Sequence, residues 1–600
     1  SFGTTYTYTC SYDTKEYGTY TYDFTMDIKR IDDTFYVNWG QDLIFPFMEY
    51  EDKLLIETIE ASRGEIFDAN GVIVAQNAYA LAVYMDVSKI KNILSVSDAL
   101  TDILDVTENE IIEVFNDTLA LNELVGRNNV GVIESYPQDH FSAEEINAII
   151  SVEGIGIDTE TYAPIRYYPY GKYTSHILGY TGYISAEYLE ANPDKGYNTD
   201  SKVGRAGLEE RYEETLRGAN GKIVYIADKW GNQKEVLYED PVQEGMDLVL
   251  TIDINQQMKA YNLLAKNTYK NQNGVAIMMD AATGAVEAMA SYPSYDNNIF
   301  SFPVDTDTWN SLISDSSNQP MYDRCTQGLY PPGSVIKPFT VAPALEQGII
   351  NQYTEFPGTI VNNQWYPNIS NWNAPPITRA GNSGSPLTLS NALIHSDNIY
   401  FAWAALKEGE DTLISYLKRI GFESKFDFDL DVGISNITNE GTDIYSRMLA
   451  DLGYGQAQML IAPIQVASLY TAYANGTCHS MKPRLIKAIK QTQGTDYVTI
   501  ETMTPEIAVY DVVNTSTYKT ILPLMKRVVT EGTARRAQTS AVTLAGKTGT
   551  AEVGTYTAEI SWFAGFWTNG SYDRLVVVAL ESKEGQGNVK FTVANGLLAP

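Results

Sequence analysis

Tyr330-Pro331-Pro332-Gly333-Ser334-Val335-Ile336-Lys337, followed far downstream by Ser396-Asp397-Asn398 and then by Lys547-Thr548-Gly549-Thr550, decides how this chain is read. A serine hydroxyl is a weak nucleophile near neutral pH and needs a base beside it. Positions three apart share one face of a helix, so Ser334 and Lys337 are expected to bring hydroxyl and amine within hydrogen-bond reach. Pro331, Pro332 and Gly333 cannot extend a helix backwards. Ser334 is therefore placed in the first helical turn, where free amides and the dipole favour developing negative charge. Val335, Ile336, Pro338 and Phe339 should bury that turn. Burial and a second nearby cation would depress the Lys337 pKa and leave it a neutral base.

The other two segments suit complementary tasks. Ser396 would pass a proton to a leaving amine, and the Asn398 amide would hold a substrate backbone. Lys547, Thr548 and Thr550, on a strand edge, would grip a carboxylate while the edge pairs an extended peptide, with Gly546 and Gly549 permitting its close approach. The Ser-x-x-Lys pair alone is weak, because Ser88–Lys91, Ser415–Lys418 and Ser516–Lys519 share its spacing and are read as coincidental surface pairs. Ser316-Ser317-Asn318 likewise imitates the second element, whereas Lys-Thr-Gly occurs once. Order and flanking chemistry single out the Ser334 set. A Ser-His-Asp triad has little support: there is no Gly-x-Ser-x-Gly elbow, and His395, next to Ser396, would point away from it as a packing or polar surface residue.

Composition narrows the class. At 600 residues the chain should form two or three domains. Forty-two Lys plus Arg against 75 Asp plus Glu give a net charge of −33, which repels a phosphate backbone and makes nucleic acid a poor partner. Three scattered cysteines and four histidines offer neither a disulfide framework nor a metal-ligand spacing, so no metal and no cofactor is expected. No apolar run is long enough to cross a bilayer, but the chain begins at Ser1, and a leader or anchor could have been cut away.

Three units follow along the chain. Residues 1–48 alternate Tyr and Thr with period 2, as long antiparallel strands do, yet are too few to close a core and read as the remnant of a small domain. Residues 49–244 mix short strands and helices, with an Asn70-Gly71 turn and helical periodicity near Asp98–Leu104 and Ala143–Ile150. Residues 245–600 open with a helix from Ile254 to about Lys266, capped by Asp253. Strands follow at Val275–Met279 and Ala285–Ala290, and three more at Val542–Glu552, Ile560–Phe566 and Arg574–Glu581. The span 334–535 between them reads as largely helical. The expected fold is α+β and multidomain, with a C-terminal five-stranded antiparallel sheet flanked by helices on an elongated mixed N-terminal pedestal.

With these residues in place the chain resembles a class B penicillin-binding protein, a monofunctional D,D-transpeptidase. The likeness extends to Thr251-Ile252-Asp253, Asp280–Gly284, Tyr292-Pro293-Ser294-Tyr295, Gly453-Tyr454-Gly455-Gln456, Pro463-Ile464-Gln465 and Ser561-Trp562-Phe563. Upstream it includes Arg63–Asp68, His176–Tyr180 and Gly207-Leu208-Glu209, with Ala69 where an arginine is usual. Trp39–Pro46 is similar to the end of the nuclear-transport-factor-like domain of the low-affinity, methicillin-resistance subgroup.

The resemblance implies a penicillin-binding/β-lactamase-like fold at 245–600 and a dimerisation-type pedestal at 49–244. It implies Ser334, Lys337, Ser396, Asn398 and Lys547 as catalytic residues, and Thr548, Gly549, Thr550, Tyr454 and Gln456 as substrate-binding. The amides of Ser334 and Thr550 would form the oxyanion hole. Implied partners are D-Ala-D-Ala stem peptides, β-lactams, the outer face of a membrane through an N-terminal anchor, and a glycosyltransferase. Rival expectations are a β-lactam sensor, a β-lactamase-like enzyme or a non-catalytic scaffold.

Overall fold

The computed structural model describes residues 3–599 apart from 15–17, 126–127, 139, 270–271, 303–305, 316–317, 370–371, 494–495, 554–557, 569–573 and 584. The Tyr/Thr alternation becomes a long hairpin, Gly3–Thr14 against Gly18–Ile31, with Thr34–Val37 beside it. One row of the hairpin packs: Tyr8 stacks on Phe24 at 5.2 Å, and Tyr12 leans on Phe45. Most of the remaining side chains of these strands are exposed.

The middle of the chain holds two three-stranded sheets. One comprises Lys53–Ile59, Gly221–Ala227 and Gln233–Asp240; the other comprises Leu81–Met85, Gly131–Tyr136 and Ile155–Asp158. Helices Ile93–Leu104 and Ala143–Ile150 cover the second and share its core. A buried charge network binds the segments that carried the upstream resemblance. Glu209, fully buried, accepts from Arg63 Nε at 2.6 Å and Arg166 Nε at 2.7 Å, while Arg63 also reaches Glu213 at 2.6 Å. Asp68 spends its carboxylate on the amides of Asn70, Val72 and Ile254, so the local turn is held without an arginine at position 69.

A six-stranded sheet crosses from this region into the next. Its order is Pro164–Tyr167, Ile73–Tyr79, Ile66–Phe67, Asp247–Leu250, Ile486–Gln493 and Asp496–Thr502. Asp247–Leu250 runs parallel to Ile66–Phe67 and antiparallel to Ile486–Gln493. The last two strands lie inside the span expected to be largely helical; they form an antiparallel hairpin in which Ile486, Ala488 and Ile489 are buried and Asp496–Thr502 is exposed throughout.

The C-terminal sheet is five-stranded and antiparallel throughout, in the order Val286–Tyr292, Gly274–Asp280, Arg574–Lys583, Ala558–Trp567, Leu544–Val553. The inner strands read as largely apolar runs because both faces are buried, whereas the edge strand Leu544–Val553 carries Lys547-Thr548-Gly549-Thr550. Val275, Ile277, Leu575 and Val577 enter the core on one side. Ala276, Met278, Val576 and Val578 pack on the other, under helices Ile254–Asn267 and Val589–Leu598. Asp253 caps the first of these helices through the amides of Asn255 and Gln256. Among the described residues no helix is long and apolar enough to cross a membrane.

Candidate active site

The Ser334 turn is buried from below by the helix Pro463–Ala474. Tyr470 donates to the Val335 carbonyl at 2.6 Å and Tyr473 to that of Pro338 at 2.9 Å. Pro338 and Pro343 lack an N–H, so the helix divides into a 3-10 turn, Gly333–Ile336, and α-helical turns Lys337–Thr340 and Ala342–Glu346. Three residues per turn bring Ser334 and Lys337 onto one line. Ser334 is half-buried and Lys337 fully buried.

Glycines let three segments close on this turn. Gly333 has φ +52°, and a Cβ there would stand 2.7 Å from the Thr550 carbonyl. The Gly333 amide donates to the Gly455 carbonyl at 2.8 Å, and Gly455 itself has φ +79°. A Cβ on Gly549 would be 2.9 Å from the Pro332 carbonyl, and one on Gly546 would strike the neighbouring strand at Ala564. These two glycines thus make room for the protein itself, where the sequence suggested room for a substrate backbone.

Ser396 ends the helix Leu389–His395 in the left-handed region, φ 62°, and Asp397 caps the next, Asn398–Glu408, through the amides of Ile399 and Tyr400. The reversal aims three acceptors at Lys337 Nζ: Ser396 O at 2.9 Å, Ser396 Oγ at 3.3 Å and Asn398 Oδ1 at 2.8 Å. Lys547 Nζ reaches the same Ser396 hydroxyl at 2.8 Å. Among the described residues no hydrogen bond joins Ser334 Oγ to Lys337; the amine is held instead by the Ser396 loop.

Burial lowers the Lys337 pKa to about 7, against the opposing pull of the Asp397 carboxylate. The expected second cation acts elsewhere: burial, then Lys337 and Lys590, depress Lys547 well below an ordinary lysine.

The strand Leu544–Val553 lies at the open edge of the sheet. Thr550 is exposed there, while the Thr548 hydroxyl meets that of Thr533 at 2.6 Å. Tyr454 is buried with its hydroxyl on Asp451, and Gln456 is half-buried, so their segment touches the nucleophile turn through the Gly455 backbone. His395 is exposed. Ser316 and Ser317 lie outside the described residues.

Four features escaped the sequence reading. Arg379 pairs with buried Asp397 at 3.0 Å, and Lys590 sits behind the edge strand. Thr533 meets Thr548, and Glu581 accepts from both Arg324 at 3.1 Å and Tyr330 at 2.8 Å, tethering the chain just before Ser334. Each is a single polar residue without periodic neighbours, so only its contacts reveal it. Among the described residues no cluster of His, Cys, Asp or Glu could hold a metal.

The family model of the penicillin binding protein transpeptidase domain matches residues 274–599. The chain belongs to the penicillin-binding proteins. The penicillin-binding protein dimerisation domain matches residues 58–250, and the NTF2-like N-terminal transpeptidase domain matches 3–52. Penicillin-binding protein 3 of Bacillus subtilis is 32% identical over 586 residues, covering 95% of this chain and 81% of the relative. The peptidoglycan D,D-transpeptidase MrdA of Acinetobacter baumannii is 26% identical, covering 84% of this chain and 73% of the relative. MrdA of Escherichia coli K12 is 27% identical over 63% of this penicillin-binding protein. Its N-terminal match joins it to the subgroup with an NTF2-like domain.

Proposed function

We propose that this penicillin-binding protein is a peptidoglycan D,D-transpeptidase working through a Ser334 acyl-enzyme. The observation that carries the reading is the meeting of Lys337 and Lys547, 210 residues apart in sequence, on the single hydroxyl of Ser396. Lys547 donates to that hydroxyl, and neutral Lys337 has its two N–H groups for the nearer Ser396 carbonyl and Asn398 Oδ1, so the proton of Ser396 is free to move.

Neutral Lys337 takes the proton of Ser334 as Oγ attacks the carbonyl carbon of the penultimate D-alanine. The oxyanion sits between the amides of Ser334 and Thr550. The C–N bond then breaks, and the proton travels through Ser396 to the departing D-alanine amine, with Lys547 holding Ser396 in place. An amine from a second stem peptide attacks the ester, the cross-link forms and Ser334 regains its proton. Water in place of that amine gives D,D-carboxypeptidation. Asn398 orients the donor peptide, the Thr548–Thr550 edge binds its extended backbone and carboxylate, and Tyr454 and Gln456 flank the Gly455 contact with the Gly333 turn.

A β-lactam acylates the same serine, but its leaving nitrogen stays attached through the opened ring. The enzyme would work on the outer face of the cell membrane, tethered by an N-terminal anchor and supplied with glycan by a glycosyltransferase. Intact mass after incubation with benzylpenicillin should rise by one penicilloyl group mapping to Ser334, and Ser334→Ala should show none. An adduct elsewhere, or rapid release of the penicilloyl group, would overturn the assignment.

A further inference from the structure

The C-terminal helix places a third lysine beside the catalytic strand. Lys590 is nine-tenths buried, and its Nζ donates to Ser561 Oγ at 2.9 Å and to the Gly549 carbonyl at 3.3 Å. Ser561 spends its own proton on the Gly587 carbonyl at 3.1 Å, so toward Lys590 it acts as an acceptor and fixes the ammonium. The carbonyl of Gly549 and the N–H of Thr550 belong to one planar peptide, in which the two bonds point in opposite directions. A carbonyl turned inward to Lys590 therefore turns the Thr550 N–H out to the open sheet edge, where Thr550 lies against Gly333.

We propose that Lys590 is a positioning residue for acylation: its ammonium fixes and polarises the Gly549–Thr550 peptide group, one of the two whose N–H faces the Ser334 ester. The proposal rests on the acyl-enzyme reading above. A cation on the carbonyl oxygen draws electron density along the amide and makes its N–H a stronger donor. The charged groups around Lys590 make its protonation a working variable. Burial lowers its pKa to about 8, and Glu559 on the strand behind it opposes that shift. Lys547 on the edge strand faces both Lys590 and Lys337 as like charges.

Acylation then needs Lys337 neutral and Lys590 charged, so the wild-type rate should rise through about pH 7 and fall again above about pH 8. Stopped-flow acylation by benzylpenicillin between pH 6 and 10 reads this directly. Lys590→Met should acylate about tenfold more slowly, a fraction of what losing a whole oxyanion donor costs, and should lack the alkaline limb. Lys590→Arg, charged at every pH, should keep the rate and also lack the limb. The infrared ester carbonyl band of the acyl-enzyme should move to higher wavenumber in Lys590→Met.

A lysine that merely ties helix to sheet would alter melting temperature and leave the limb and the band unmoved; that result overturns the proposal. Should Lys590→Met not fold, Ser561→Ala and the wild-type limb decide, and a flat wild-type profile above pH 8 is equally fatal. A wild type that forms no Ser334 adduct instead sinks the acyl-enzyme reading itself, which keeps the two failures apart.

Discussion

Gly333→Ala tests whether the closeness of the edge strand to the nucleophile turn sets the reaction rate. At φ +52° an alanine costs about 1–2 kcal/mol in the left-handed region. Its Cβ would also stand 2.7 Å from the Thr550 carbonyl and 3.3 Å from the Ala551 side chain. Ordinary contact needs about 0.7 Å more at the carbonyl, and overpacking of this kind costs about 1–3 kcal/mol. The cheapest relief is separation of the edge strand from the Gly333 turn, because that strand has a sheet neighbour on one side only. That displacement carries the Thr550 amide away from Ser334, and misplacement by about 1 Å costs on the order of 100-fold in rate.

Gly333→Ala should therefore be less stable by about 2–5 kcal/mol and acylate roughly 10- to 100-fold more slowly. Gly348→Ala is the control, because Gly348 has φ +68° with nothing within 4 Å of a Cβ. It should show the backbone cost alone, about 1 kcal/mol, and acylate normally. Second-order acylation rates with a fluorescent penicillin, alongside thermal melts, measure both quantities. A Gly333→Ala enzyme acylating within about threefold of wild type, against the roughly 100-fold that a displaced amide implies, would refute the reasoning, as would equal slowing by Gly348→Ala.

Three further outcomes are expected. Asp397→Asn removes the carboxylate that raises Lys337, so the neutral amine persists to lower pH and the acid limb of the acylation profile should move below about pH 7; a limb that stays or moves up contradicts this. Ser396→Ala deprives Lys547 and Lys337 of their shared hydroxyl and should slow acylation by about 10²–10⁴, read by stopped flow, with the adduct still on Ser334. Glu209→Leu strands Arg166 without a carboxylate and leaves Arg63 only Glu213, a loss of about 3–5 kcal/mol, measurable as a lower urea midpoint and earlier proteolysis of the pedestal.

Much of the transpeptidase domain was legible in the sequence, because its signals are local and repeated. Largely apolar segments marked the five strands, Asp253 marked a helix start, and three short motifs marked the segments that meet around Ser396. Their convergence on Ser396 was not legible, since it depends on a left-handed residue between two helices. Nor was the division of labour among lysines: Lys337, Lys547 and Lys590 are each one charged residue in an apolar setting, and only the fold shows which cation acts on which amine. The strand Ile486–Gln493 was missed because its partner, Asp247–Leu250, lies more than 230 residues upstream, and Asp496–Thr502, which pairs with Ile486–Gln493, because it is exposed throughout and has no buried face to mark it. The roles of Gly546 and Gly549 were misread for a related reason, as a glycine announces room and never says for what.

The six-stranded sheet that joins the two halves has a practical consequence for anyone trimming the protein. A version starting near residue 245 would leave the Asp247–Leu250 edge bare where Ile66–Phe67 now lies against it. Raw backbone donors and acceptors of that sort recruit foreign strands, so such a fragment should clump or pair with itself. A force applied at the N-terminal end would in turn be felt across those backbone bonds, close to Thr251 and the helix Ile254–Asn267 behind the five-stranded sheet.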